Sequence, residues 1–281
     1  MHIAKLPAKL LLASILSAGL IMTACTPGGD TAPNKAEMIE TQSKALNDWF
    51  EARYEEQLAR SPMSQTYLGM KDNQHMLDDA SQLADDESAA LTRAWLEDMR
   101  RDFDIDRLDK QTALSYRLYE FAAEDQLESH EFEGNEYVFQ HMGGPHSDLP
   151  SFMINFHSVS SVEDAQAYIA RLNDSRRYLG QYAEKAQAQF ENGVVLPKFV
   201  YGKISEASRN VISGVPFSEG EDSPLFSDIK GKINALSISG DQKDSLIKEA
   251  ETALLTSVQP AYLELLNMFE AHSAKATKDD G

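Results

Sequence analysis

The side chains best suited to chemistry in this sequence are its histidines and carboxylates. After His2 come His75, His130, His141, His146, His157 and His272. His141, His146 and His157 lie with Asp148 in one stretch rich in glycine, proline and aromatic residues, and imidazoles with a carboxylate can coordinate a metal. Spacing within an irregular stretch fixes no ligand geometry. The simpler expectation is that these four side chains hydrogen-bond within an ordered, candidate ligand-binding loop. His130-Glu131 begins like H-E-x-x-H, whose two histidines share one helix face and grip zinc, but Gly134 stands in the last place and breaks the motif. No G-x-S-x-G elbow, no phosphate-binding G-x-x-x-x-G-K-[ST] and no G-x-G-x-x-G occurs. The acidic runs Asp78-Asp79, Asp85-Asp86-Glu87 and Glu219-Gly220-Glu221-Asp222 fit no calcium loop and read as solvated caps and loops. Motifs alone therefore assign no catalytic residue, no metal ligand and no cofactor.

The single cysteine, Cys25, is placed for a different purpose. Lys5 and Lys9 precede an uncharged apolar run from Leu10 to Met22, then small residues, then Cys25. A basic start, a short apolar stretch and a small-residue cleavage point define an export signal rather than a membrane span. A cysteine at that point resembles the bacterial lipoprotein signal, in which the thiol carries a diacylglycerol. The expected partition is a signal peptide over 1–24, lipidated Cys25 with a flexible tether to residue 35, and a helical domain over 36–281. Each buried CH₂ adds ~0.8 kcal/mol, so two or three acyl chains would anchor the protein firmly to a membrane. The expected location is the cell envelope, facing the periplasm. Thr26 in place of an aspartate favours the outer membrane if the cell is Gram-negative. With its thiol acylated, the chain can offer neither a thiolate nucleophile nor a cysteine-rich zinc site.

Charge narrows the partners. With 26 basic and 45 acidic residues the net charge is −19, and such a field repels phosphate backbones, so nucleic acid is not an expected partner. Disulfides being impossible within one chain of one cysteine, an ordinary core drawn from the 42% hydrophobic residues must hold the fold.

The elements that position these groups read as helices almost throughout. Ile39, Leu46, Trp49, Phe50, Tyr54 and Leu58 recur at helical spacing over 36–60. Ser61-Pro62 opens a short helix that stops near Gly69. A polar connector over 70–84 precedes a helix over 86–101, and Asp109 caps another to about 128 with Leu114, Leu118 and Phe121 expected inward. Residues 129–160 read as one long irregular aromatic/Gly/Pro loop, unusual in length for a connector and so a candidate functional segment. Ser161-Val162-Glu163-Asp164 then opens the strongest helix, which closes at Gly193. Further helices are expected near 203–213, 225–237 and 241–271, the last kinked at Pro260. The expected class is all-α, a multi-helix array of antiparallel helices.

Three stretches carry a family resemblance. WFEARYEEQLARSPMSQTYLG at 49–69, QHMGGPHSDLPSFMINFHSVSSVEDAQAYIARL at 140–172 and ENGVVLPKFVY at 191–201 resemble, in order and spacing, the bacterial "domain of unknown function 885" proteins. The resemblance implies an envelope lipoprotein of about twice this length, whose C-terminal half is similar to zinc peptidases and holds the metal on an H-E-x-x-P-G-H-type helix. No residue here matches that metal motif, so no catalytic residue or zinc ligand is carried over. What the resemblance implies is an N-terminal helical half, a split or truncated product, without catalysis of its own. It could form one wall of a peptide cleft and meet a complementing C-terminal half. The alternative is a non-enzymatic envelope lipoprotein that binds peptides or a partner protein.

Overall fold

A computed structural model describes residues 34–278, and the signal segment with Cys25 lies outside the described residues. Helix α1 spans Lys35–Ala59 and begins with a reciprocal cap, in which Asn34 and Glu37 satisfy each other's backbone N–H groups. Ser61 caps α2 (Pro62–Tyr67), with Pro62 in the first helical turn. Ser81 caps α3 (Gln82–Asp102), and Asp109 caps α4 (Lys110–Phe132) by accepting from the Thr112 N–H at 2.9 Å. Helices α5 (Pro145–Asn155) and α6 (Val162–Glu191) follow, then α7 (Lys198–Val211), α8 (Pro224–Asn234), α9 (Gly240–Ala253) and α10 (Gln259–Lys275). Among the described residues there is no β-sheet; only isolated bridges occur, so the class is all-α. No described helix is long and apolar enough to cross a membrane.

Two apolar clusters organise these helices. The larger is built around α6, whose Ala165, Tyr168, Ile169, Leu172 and Leu179 are buried against α5, α8, α9 and α10. Capping of α6 by Ser161 follows the pattern read from the sequence. The smaller cluster joins Leu46 of α1, Leu96 and Met99 of α3, and Tyr116 and Ala123 of α4. Trp49 closes it with edge-to-face contacts to Phe50, Phe103 and Tyr119, and the Phe50 and Tyr119 rings meet at a tilt.

Two expectations need correction. The stretch 129–160 is not one irregular loop: α4 runs on to Phe132, and an eleven-residue helix, α5, lies inside it. Gly144, at φ 121°, turns the chain, and Pro145 then supplies a ready-made φ at the start of α5. The same residues that read as loop signals are thus a helix start. The second correction concerns α4. Leu114, Leu118 and Phe121 face outward, 47%, 60% and 69% exposed, because Thr112, Tyr116 and Ala123 take the inward face. This helix carries apolar residues on two faces, and periodicity alone does not choose between them.

Just ahead of Pro260, a wider π-type turn over Leu254–Val258 separates α9 from α10, and Pro260 falls in the first turn of α10. A second constrained turn links α7 to α8. There Val215 N–H donates to Glu221 O and Ser223 N–H to Val215 O, both at 2.8 Å, with Gly214 at φ 84°. A Cβ at that glycine would run into the Glu221 carbonyl. Gly214→Ala is therefore expected to lower the unfolding free energy by about 2 kcal/mol or more, measured by urea denaturation with an unchanged slope.

Candidate functional site

The four side chains singled out in 141–157 do not meet. His146 is in the first turn of α5 and His157 lies just past its end, and a helix of eleven residues rises about 16 Å. His146 is buried between the Phe139 and Phe269 rings, and its carbonyl accepts from the Tyr262 hydroxyl at 2.7 Å. Its Nδ1 has no partner, and burial pulls its pKa down. Asp148 is exposed and accepts from the Gly144 N–H at 3.2 Å, tying the turn to the first helical turn. His141 is exposed beside the Phe199 ring.

His157 belongs instead to a buried polar hub. Arg171 of α6 has no exposed surface, and its guanidinium donates to Met76 O (2.8 Å), Thr66 Oγ1 (2.7 Å), Pro62 O (3.3 Å) and His157 Nδ1 (3.0 Å). Phe152 of α5 lies under its cationic plane at 4.9 Å. An arginine can only donate, so His157 Nδ1 must accept and the proton sits on Nε2, which donates to Asp164 O at 3.1 Å. Burial, then the adjacent Arg171 charge, pushes the His157 pKa down to about 4. Asp164 accepts from Lys71 Nζ (2.6 Å), Gln74 Nε2 (2.6 Å) and both Ser160 donors. Burial alone would raise its carboxyl, yet Lys71, Ser160 and Gln74 hold it well below the usual carboxylate range. The hub thereby locks α2, the 70–80 connector and α5 onto α6.

That locked connector forms the floor of a furrow around the corner between α1 and α2. Three clefts adjoin there, with cavity volumes of about 370, 440 and 590 Å³. The first two share Gln57 and Ser61, and the first and third share Arg60 and Asp79. One wall is acidic: Asp78, Asp79, Asp85, Glu87 and Asp174. The other is apolar: Tyr54, Leu58, Tyr67, Leu68 and Met76, with Phe156 stacked edge-on against Tyr67 at 4.4 Å. Tyr54, Tyr67 and Leu68 are each more than half exposed. Part of this furrow falls in the 49–69 stretch, but its acidic wall comes from the connector, α3 and α6, which only folding brings alongside.

One further cluster was hidden in the sequence. Asp86 in the second turn of α3, His130 in the last turn of α4 and Glu133 just beyond it each offer a ligand atom, all within 4.8 Å of one another. Its legible signals were the i, i+4 pair Gln82/Asp86 and the i, i+3 pair His130/Glu133, which place each pair on one helix face. Nothing local says that the two faces meet.

Comparison with known proteins bears on the family and the fold. The profile of a family described as "Bacterial protein of unknown function (DUF885)" matches residues 62–281. No curated protein matches the sequence. Among solved structures, the crystal structure of "the putative lipoprotein from Colwellia psychrerythraea" is similar, with a TM-score of 0.64 and 18% identity. The match covers 88% of this chain and 43% of that one, so the chain spans less than half of that protein's length. At this identity the likeness speaks for the fold alone.

The hub makes stability depend on pH with a definite sign. A histidine held neutral in the fold binds fewer protons than in the unfolded chain, so stability is complete above pH ~6.5 and falls as pH drops toward about 4. His146 and His272, also shifted down by burial, act in the same direction. Urea unfolding at pH 7.0 and 4.5 is expected to show this loss, and His157→Gln to shrink it, since a glutamine can accept from Arg171 without titrating.

Proposed function

This chain belongs to the bacterial DUF885 family, and from that premise we propose that it is the helical, ligand-binding portion of an envelope lipoprotein of the peptide-hydrolase type, without catalysis of its own. The ligand proposed is an extended peptide carrying basic and apolar side chains. The observation that carries this reading is the furrow, where contiguous clefts of about 370, 440 and 590 Å³ pair a carboxylate wall with an aromatic one. Carboxylates at Asp78 and Asp79 would attract lysine or arginine side chains, and the net charge of −19 would steer them from a distance. Tyr54, Tyr67 and Phe156 would pack on the apolar residues between, the arrangement of pockets and polar anchors found in peptide grooves. Zinc hydrolysis needs three protein ligands, an open water position and a general base. The histidines of 141–157 are too far apart to supply that set, which supports a binding role in which catalysis resides in a complementing half.

A fluorescent library of basic–apolar peptides is expected to bind the purified protein equally with zinc or with EDTA and to remain uncleaved. Tyr67→Ala should weaken binding on the order of tenfold, since an exposed aromatic anchor contributes about 1–2 kcal/mol. EDTA-sensitive cleavage, or binding indifferent to Tyr67→Ala and Asp79→Asn together, rejects this reading.

The anchor is a separate part of the proposal. Cys25, outside the described residues, would carry the lipid that places the protein at the periplasmic face of a membrane, the outer membrane in a Gram-negative cell. Cells fed radiolabelled palmitate should label the wild-type chain and leave Cys25→Ser unlabelled and released into the soluble fraction.

A further inference from the structure

The cluster of Gln82, Asp86, His130 and Glu133 is shaped for something the peptide furrow does not require. His130 Nδ1 lies 2.9 Å from Glu133 Oε2, an ordinary hydrogen bond. His130 Nε2, by contrast, lies 3.3 Å from Asp86 Oδ1, which is long for a charge-assisted N–H···O contact. That separation equals the edge of a tetrahedron with bonds of about 2.0–2.1 Å to a central ion, which is roughly 3.3–3.4 Å. Gln82 Nε2 donates to both Asp86 Oδ1, at 3.2 Å, and Glu133 Oε1, so the two carboxylates converge on one neutral amide. Two negative charges sharing a neutral donor form an electrostatically incomplete arrangement that a divalent cation would complete.

We propose that Asp86 and His130 bind a divalent transition-metal ion of the zinc class, with Glu133 as the residue that orients the His130 ring, so that the ion joins the first turns of α3 to the end of α4. The donor set, one imidazole and one carboxylate completed by water, suits zinc, cobalt or nickel rather than calcium or magnesium, which prefer oxygen alone. His130 ligates through Nε2 and Asp86 through Oδ1. Glu133 accepts from Nδ1–H, as the outer carboxylate of a carboxylate–histidine–metal arrangement does, and fixes the ring without touching the ion. Gln82, an amide that rotates freely about its last bond, gives way to the ion. Gln82 and Glu133 also line an adjoining cleft of about 350 Å³, together with Glu136, Tyr182 and Lys185. Among the described residues no other group of three such side chains lies close enough to share an ion.

The site is partly exposed, with side chains 57%, 25% and 34% accessible for Asp86, His130 and Glu133, so the ion reaches it without unfolding the protein. Its role is a cross-link. The hairpin of α3 and α4 is fixed at its far end by the small apolar cluster around Met99, and the ion fixes the near end. Gln189 of α6 donates to Glu133 O and Glu136 O, at 3.2 and 2.6 Å, so the same staple also holds this layer to α6.

The test uses the full-length protein freed of any histidine tag and stripped with chelator. Titration with Co²⁺ is expected to give saturable visible absorption bands at one ion per chain, with Zn²⁺ displacing it and raising the melting temperature by several degrees. His130→Ala and Asp86→Asn should each abolish the bands, and Glu133→Gln should weaken affinity on the order of 10–100-fold, with circular dichroism unchanged in all three. Absence of saturable binding below about 1 mM Co²⁺ at pH 7.5 overturns the proposal. So does binding that persists in His130→Ala, which would place the ion elsewhere. A fully chelated protein that still binds peptide leaves the furrow reading intact whichever way this result falls.

Discussion

A guanidinium with no exposed surface must find a partner for each donor it turns inward, because an unpaired buried N–H costs free energy comparable to a lost hydrogen bond. Arg171 meets this demand with acceptors drawn from α2, the connector at Met76 and the segment after α5. None of those acceptors is near Arg171 in sequence, and two are main-chain carbonyls whose positions depend on the whole course of the connector. The requirement therefore propagates. Satisfying Arg171 fixes where residues 62–76 run, fixes which nitrogen of His157 bears hydrogen, and sets the Asp164 carbonyl as that hydrogen's acceptor. The Asp164 side chain then draws Lys71 and Gln74 onto the same end of α6. A leucine at 171 could fill the volume, but it would leave the connector without a reason to lie where it does.

This explains why the sequence discloses some parts of the molecule and conceals others. Caps are local chemistry, so Ser61, Asp109 and Ser161 announce helix starts within a span of four residues. Helix α5 was concealed because Gly144, Pro145 and Pro150 each carry a turn signal, while their actual arrangement uses one proline at the helix start and spends the glycine on the preceding turn. Lys232 compensates for the short, proline-bearing helix by donating to the Met153 and Ile154 carbonyls near its end. For α4 the sequence offered two apolar faces and the partner decided. The candidate sites were least legible of all. The furrow and the Asp86/His130/Glu133 cluster both arise where separate helices come alongside, and periodicity reports the face of one helix without naming its neighbour.

Electrostatics connects the two sites. Asp85 and Asp86 are consecutive on α3, so their side chains point to different sides: Asp85 pairs with Lys185 of α6, and Asp86 faces His130. Asp85 also lines both the 370 Å³ cleft of the furrow and the 350 Å³ cleft beside the cluster. Exposed pairs of this kind contribute little stability one at a time, roughly 0–1 kcal/mol. Their consequence here is placement. Arg60 pairs with Glu87 and Arg177 with Asp174 at the furrow's edges, which leaves Asp78 and Asp79 as the carboxylates available to an incoming cationic group.

The elements that line the furrow differ in how firmly they are held, and that difference bears on how a ligand could be accommodated. The connector and α2 are pinned by Arg171 and Asp164 through buried hydrogen bonds. The last part of α1, which carries Tyr54 and Leu58, is less buried; of the twenty-five residues of α1 only Ser43 and Leu46 are buried. Low burial and a small apolar cluster mark a segment at the low end of local stability. A peptide entering between them would thus meet a fixed floor with fixed polar partners and an outer helix able to adjust to side chains of different size.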